Sequence, residues 1–583
     1  MNKNNGLKDI FYNYLKRYKW HWIIGFLTLA CATGLTVLMP LVLRNAVNKL
    51  EFGGSPSQLL TDAFYIVGIS LSAGIFRFFA LVIVTIASRK IEYDLHSDFF
   101  EHIEKLGRKF FDKSNVGDLV SRGSNDVEAV QQMHCPGFYS LLYSMFIIPL
   151  AVVLMFRVDP TLTLYSMIPM PFLALAVYLL GKYVYGRYHK IQVQLGKLSA
   201  SVQENLWAIR VVKAFDQGEN QIRRFEAINN DYVRKYMNMV RLWALFYPVI
   251  YMIAGLMMLV VLLIGGARVI NDEITLGTFV AFVAYLVMLV WPMAGLGWVL
   301  GMIQRGFASY ARLKEIFDIE PEISSLTETQ AKTRFKGDIE FKNVSFAYYN
   351  SPVLEDISFK VKPGQKVAVV GATGSGKSTL VSLIPRLYEV TGGSIFIDGK
   401  DINSLDMETL RSNIGTVPQD VYLFSRTVGE NIAFGCESKP SPAEIKTAAK
   451  VADLLKDIEK FPEQFNTLVG EKGVTLSGGQ KQRTSIARAI IKKPPILIFD
   501  DAFSSVDTDT ERHILNGLHE IIENCTVFVI SHRVSTFQNA DLILVLDEGK
   551  LVEQGNHETL LAQGGVYANI YKRQQLTEEL EKI

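Results

Sequence analysis

The chain has 583 residues, several times the size of one ordinary domain, so at least two cooperating units are expected. Its 60 basic and 58 acidic side chains leave a formal charge of +2, and it has no long basic tract or basic-aromatic interleaving, which argues against a nucleic-acid partner. Cys31, Cys135, Cys436 and Cys525 lie too far apart for a zinc or redox motif and read as free thiols.

The N-terminus is basic (Lys3, Lys8, Lys16, Arg17, Lys19) and runs into apolar sequence from Trp22. That segment is longer than a signal-peptide core and has no evident cleavage site, so it reads as a first membrane anchor that stays. A helix crossing a hydrocarbon layer ~30 Å thick needs about 20 mostly apolar residues. Six stretches meet this need, at 20–43, 61–87, 138–157, 161–183, 242–265 and 276–303. The connections at 88–137 and 184–241 are long, charged and helix-compatible. Lys and Arg crowd both of them and the N-terminus, which predicts that these segments and the C-terminal region are cytoplasmic. With no organelle-targeting segment, the reading is a multi-pass protein of a bacterial plasma membrane.

Pro149, Pro169, Pro171, Pro248 and Pro292 fall inside these stretches, where membrane helices tolerate them. Arg77 falls near the inner boundary of the second, placed either to snorkel or to line an inward cavity. No buried carboxylate or histidine chain offers an ion- or proton-coupled mechanism, so energy must come from elsewhere. Aromatic and methionine side chains in the last two stretches, among them Tyr251, Met252, Met257 and Trp291, suit a varied hydrophobic or amphipathic cargo. Lipid contact or helix packing explains any single one of them equally well.

Residues 1–310 thus form one domain, 311–335 a linker, and 336–583 a soluble α/β domain of short β-branched runs and glycine turns. Gln365 to Val370 reads as a strand and leads into Gly371, Ala372, Thr373, Gly374, Ser375, Gly376, Lys377, Ser378 and Thr379, which match the P-loop pattern GxxxxGK[ST]. Such a loop cradles phosphates with its amides, bridges the outer ones with Lys377 and ligates Mg²⁺ through Ser378. Pro495 to Phe499 reads as a strand ending in Asp500, the carboxylate that holds Mg²⁺ through water. Leu476, Ser477, Gly478, Gly479 and Gln480 precede a helix, as either a second anion cradle or a plain glycine turn.

In the order of these motifs and in its six apolar stretches the chain resembles the ABC transporter superfamily, as a type I (type IV fold) exporter half-transporter. The implied fold is a six-helix α-helical transmembrane domain plus an α/β P-loop NTPase domain with a helical subdomain. The resemblance implies that Leu476 to Gln480 is the signature motif, which clamps ATP held by a partner's P-loop when two such domains close head to tail. It further implies that Gln419 is the Q-loop ligand of Mg²⁺, that Tyr348 stacks on adenine, that Ser504 to Asp507 form the D-loop and that His532 is the switch histidine at the γ-phosphate. Phe110, Phe111 and Asp112, with Gly117, Ser121 and Arg122, and Glu204 with Arg210 to Phe215, resemble coupling-helix regions, a solvated helical face being the alternative.

One position departs from that pattern. Active sites of this superfamily carry glutamate after the Mg²⁺-binding aspartate, and this chain has Asp501. Aspartate is one methylene shorter, about 1.5 Å, which impairs general-base geometry unless it acts as a conservative substitute. The pattern resembles the degenerate-site subunit of heterodimeric bacterial multidrug exporters. The implied function is an ATP-driven exporter subunit for hydrophobic or amphipathic compounds or lipids, working with a second half-transporter whose site performs most of the hydrolysis. Peptide or lipid-linked export, or a nucleotide-gated regulatory or channel subunit, are the alternatives.

Overall fold

The computed structural model describes residues 13–321, 333–349, 351–470, 473, 475–521, 525–531 and 533–581. They divide into two compact units, Met1–Lys105 with Ser114–Glu320, and Leu106–Lys113 with Pro321–Ile583.

Among the described residues of the first unit, six helices are long and apolar enough to cross a membrane: Lys19–Glu51, Pro56–Lys105, Val116–Val158, Pro160–Trp207, Gly218–Ile270 and Leu276–Phe317. Each contains one of the six apolar stretches and most run well past it, because the charged connections keep helix-forming sequence. Gly218–Ala244 buries no residue and carries an Asp231–Lys235 pair at 2.7 Å. The apolar core joins Val37, Ile147, Met155, Leu162, Met257, Phe282, Tyr285 and Leu289. Tyr285 donates its buried hydroxyl to the Val37 carbonyl at 3.0 Å, so its polar tip is satisfied inside that core.

Ion pairs tie the helix ends. Asp159 accepts from the Leu162 amide at 2.8 Å, capping the helix that starts at Pro160, and both its oxygens take Arg268 Nη1 at 2.9 Å. Buried Asp126 accepts from Ser309 Oγ at 2.8 Å and from Arg312 Nε at 2.9 Å. Arg77 lies 4.8 Å from the Tyr143 ring centroid, so its guanidinium turns to the third of these helices, in a cation–π contact.

The second unit holds two sheets. The first is antiparallel, in the order β2 (Ser351–Val361), β1 (Ile339–Tyr348), β4 (Gly392–Ile397), β5 (Lys400–Asp401). The second runs β10 (Lys550–Gly555), β9 (Leu542–Asp547), β3 (Lys366–Gly371), β8 (Thr526–Ile530), β7 (Ile496–Asp500), β6 (Ile414–Val417). Strands β3, β6, β7, β8 and β9 pair in parallel. Parallel strands are covered on both faces, so they read as unbroken apolar runs, and Val367–Val370 and Ile496–Phe499 are all buried. Each buried Val, Leu, Ile or Phe among them contributes roughly 1.5–3 kcal/mol.

Between β6 and β7 the chain builds a helical layer, including Val428–Ala433, Pro442–Val451 and Gly478–Ile490, whose Val428, Ile432, Ala448, Leu454 and Ile486 share one apolar cluster with Val417, Leu497, Phe499 and Val529 of the sheet. The short helix Arg108–Lys113 belongs to this second unit.

Candidate functional site

The loop after β3 needs glycine where it turns into the next helix. Gly376 has φ 95°, and a Cβ there would lie 2.7 Å from Leu354 Cδ2 and 3.1 Å from the Val353 carbonyl, so only glycine fits where the helix Lys377–Leu383 begins. Lys377 is buried and donates its Nζ to the Gly371 and Ala372 carbonyls at 3.0 and 2.7 Å. Burial lowers its pKa, while Asp500 and Asp501 oppose that shift. The Ser375 hydroxyl is buried and has no hydrogen-bond partner among the described residues. A buried orphan donor beside a lysine whose hydrogen bonds, among the described residues, go to its own loop fits a phosphate chain, which would accept from both. Thr373 and Gly374 are exposed in the same loop, and Thr379 lies buried just beyond it.

Strands β3 and β7 flank β8 and run parallel to it, so the loop after β3 and the carboxylate ending β7 lie at the same carboxyl end of the sheet. Ser378 Oγ donates to Asp500 Oδ1 at 2.9 Å, joining positions 122 residues apart. Burial raises the Asp500 pKa, Asp501 adds to the rise, and the Ser378 bond opposes it. A hydroxyl and a buried carboxylate are hard oxygen donors of the kind Mg²⁺ takes, with the remaining positions left to water and phosphate.

Asp501 follows in left-handed backbone, φ 49°, which aspartate tolerates better than most residues, and its amide donates to the Ile530 carbonyl at 3.1 Å. Gln419 is exposed two residues past β6. Tyr348 ends β1 half-buried, its hydroxyl 3.3 Å from Thr379 Oγ1. His532 lies outside the described residues.

Ser477 caps the helix Gly478–Ile490 in a reciprocal pair: its Oγ accepts from the Gln480 amide at 3.3 Å, and Gln480 Oε1 accepts from the Ser477 amide at 3.0 Å. Gln480 Nε2 donates to Asp457 Oδ1 at 3.2 Å, so this side chain holds the turn, while Ser477 and Gly478 are exposed. Gly479 packs on the following loop, where a Cβ would fall 2.8 Å from the Ser505 carbonyl. Among the described residues no hydrogen bond or ion pair links Leu476–Gln480 to the Gly371–Thr379 loop of the same chain.

The family description "ABC transporter transmembrane region" matches residues 22–293, and "ABC transporter" matches residues 354–504. The chain is 36% identical, over 97% of each sequence, to a probable multidrug resistance ABC transporter ATP-binding/permease protein, YheI, of Bacillus subtilis (strain 168). The chain belongs to the ABC transporter family. It is also 35% identical to an ATP-dependent lipid A-core flippase of Syntrophus aciditrophicus (strain SB), over 100% of this chain and 96% of that one. A solved bacterial Atm1-family ABC exporter with ATP bound superposes with a TM-score of 0.80 and 28% identity, covering 96% of this chain and 98% of that one. This ABC transporter carries one transmembrane region and one ABC domain on a single chain, as an exporter of half-transporter build.

Sequence reasoning passed over two residues that organise the ABC domain. Buried Gln482 donates to Ser504 Oγ at 2.8 Å and accepts from the Ser505 amide at 2.9 Å, tying the helix after Ser477 to the Ser504–Asp507 loop. Its only advance signal was a polar side chain on the face that carries Ile486 and Ile490 inward. Tyr388 packs edge-on against Tyr348, and nothing near it in the sequence marks it.

Proposed function

We propose that this ABC transporter is one half of a pump that uses ATP to move hydrophobic or amphipathic compounds, or lipids, out across a bacterial plasma membrane. On this reading residues 1–310 form the membrane path, 311–335 link it to the rest, and 336–583 form a cytoplasmic nucleotide-binding domain. The observation that carries the nucleotide part is the 2.9 Å bond from Ser378 to Asp500, set beside the orphaned Ser375 hydroxyl. ATP would lie along Gly371–Thr379 with its base on Tyr348, and Ser378, Asp500 and Gln419 would hold Mg²⁺, which supplies the positive charge that neutralises the phosphates. His532 takes the γ-phosphate contact by its place in the sequence pattern.

The site at this chain's own P-loop is degenerate, because Asp501 stands where a catalytic glutamate is expected. Ser477, Gly478, Gly479 and Gln480 complete the site of a second half-transporter, which carries out most of the hydrolysis. Two kinds of cargo are proposed, because the relatives include a probable multidrug resistance transporter and a lipid A-core flippase. Reconstitution of the chain with its co-purified partner in inside-out vesicles tests both. ATP should drive accumulation of a hydrophobic dye or translocation of a fluorescent lipid, and an ATP-independent flux of either would refute the pump.

A further inference from the structure

The first membrane helix, Lys19–Glu51, buries Leu29, Thr33, Val37 and Pro40 along one stripe, at steps of three or four residues. One turn further along that stripe stands Arg44. Its Nε is buried with no hydrogen-bond partner, and among the described residues its guanidinium makes no hydrogen bond or ion pair. Lys49 on the same helix is matched, since its Nζ reaches both oxygens of Asp62 at 2.9 and 2.8 Å.

Arg44 lies roughly 10 Å short of the helix end at Glu51, at 1.5 Å per residue. That end faces away from the cytoplasm. Asn48 Oδ1 and Glu51 Oε2 accept from the Gly277 and Leu276 amides at 3.0 and 3.3 Å, at the start of the helix whose other end, Phe317, leads in the chain to the ABC domain. A Cβ on Gly277 would fall 2.2 Å from Asn48 Oδ1 and 2.3 Å from the Arg44 carbonyl, so the two helices touch beside Arg44. With its Oδ1 committed to Gly277, Asn48 keeps its Nδ2 as a donor that has no hydrogen bond among the described residues. Residues four apart share a helix face, so this donor and the guanidinium serve one place.

A guanidinium in a membrane helix is costly unless an anion meets it, and its planar fork suits phosphate, sulfate and carboxylate oxygens. No acceptor among the described residues does so. We propose that Arg44, with the Asn48 carboxamide one turn on, recognises the negatively charged headgroup of an amphiphilic cargo near the outer end of the membrane path. This rests on the pump reading and narrows its cargo to amphiphiles that bear a phosphate, sulfate or carboxylate.

Equilibrium binding of radiolabelled dodecyl phosphate, dodecyltrimethylammonium and dodecanol, which share one tail, tests this on the full chain with its co-purified partner in phosphatidylcholine nanodiscs. Arg44→Gln should bind dodecyl phosphate about ten-fold more weakly than wild type, the scale of a hydrogen bond to a charged group, with the other two probes unchanged. Arg44→Lys keeps the charge and loses the fork, and should fall between. Equal loss of all three probes would mean a packing role, and unchanged phosphate binding would mean no site; either overturns the proposal. Loss of the co-purified partner in Arg44→Gln would overturn it too, because a carboxylate of the second subunit would then be the missing acceptor. Phosphatidylglycerol nanodiscs separate cargo from membrane lipid: a phosphate preference that vanishes there in wild type means that anionic lipid fills the site, which refutes the cargo assignment. Should Arg44→Gln not fold, Arg44→Lys decides alone, a loss confined to dodecyl phosphate supporting the site and any other pattern overturning it. Binding needs no turnover, so a failure here leaves the pump standing, and the vesicle assay refutes the pump separately.

Discussion

Replacing Lys377 by alanine removes an ammonium from the loop after β3, and the size of the loss follows from what that group touches. Its Nζ makes two hydrogen bonds, at 3.0 and 2.7 Å, to the Gly371 and Ala372 carbonyls. On ATP binding the ammonium exchanges loop carbonyls for phosphate oxygens, trading neutral acceptors for charged ones. A hydrogen bond to a charged group contributes about 1.5–3 kcal/mol, and 1.4 kcal/mol is tenfold in affinity, so ATP should bind roughly 10- to 100-fold more weakly. The alanine also frees two carbonyls and opens space, so Lys377→Gln, which keeps a donor but no charge, separates charge from packing. Titration of a fluorescent ATP analogue into the purified chain at fixed ionic strength, with a thermal melt alongside, measures both. Wild-type affinity in Lys377→Ala with an unchanged melt would refute the phosphate-loop assignment.

Three further outcomes are expected. Because burial raises the Asp500 pKa in the folded chain, its ionised form costs stability at neutral pH; that cost is absent below the unfolded carboxylate pKa and complete above the folded one. Asp500→Asn should therefore melt higher than wild type at pH 7 without nucleotide, the gap should close as pH falls through the carboxylate range, and Mg-ATP binding should suffer; a pH series of melts checks the sign. Asp159→Ala loses a helix cap and the Arg268 pair and should cost about 1–3 kcal/mol of membrane-unit stability with ATP affinity intact, read by melting in detergent and nucleotide titration. Gly376→Ala forces a side chain into left-handed backbone against Leu354 and should cost about 1–3 kcal/mol together with ATP affinity, whereas a neutral result would mean the loop relaxes freely.

The six membrane helices were legible because a run of about 20 apolar residues has few other uses, and β3 and β7 because buried parallel strands carry no polar alternation. Helix ends were not, since the charged connections continue the same helices and nothing in 218–241 marks where the membrane stops. The turn from β3 into the helix Lys377–Leu383 could be placed because the P-loop pattern sets glycine, lysine and serine at fixed spacing between a strand and a helix. What escaped was pairing at long range. The bond between Tyr388 and Asp112 spans 276 residues, and that between Arg312 and Asp126 spans 186, and nothing in the sequence pairs either aspartate with its partner. Gln480 shows the opposite limit: its motif suggested a ligand contact, while its side chain is taken up by the Ser477 cap and Asp457.

The proposed asymmetry is the reading most exposed to a decisive test, because Asp501 and Ser477 fall in different composite sites if two ABC domains close head to tail. Asp501→Asn removes a carboxylate that is already one methylene short, so steady-state hydrolysis by the assembled pair should fall several-fold at most. Ser477→Arg places a bulky cation on an exposed turn where the partner's γ-phosphate would dock, and losing an oriented transition-state contact typically costs about 10² or more in rate. The substitution also removes the cap on Gly478–Ile490, worth about 1 kcal/mol, so Ser477→Ala, which loses the cap and adds no bulk, measures that part alone. The ranking expected in ATPase assays of the pair is therefore wild type, then Asp501→Asn and Ser477→Ala close behind, then Ser477→Arg far below, with the isolated chain slow throughout. If Asp501→Asn stops turnover while Ser477→Arg spares it, Asp501 is a working base and hydrolysis occurs at this chain's own site.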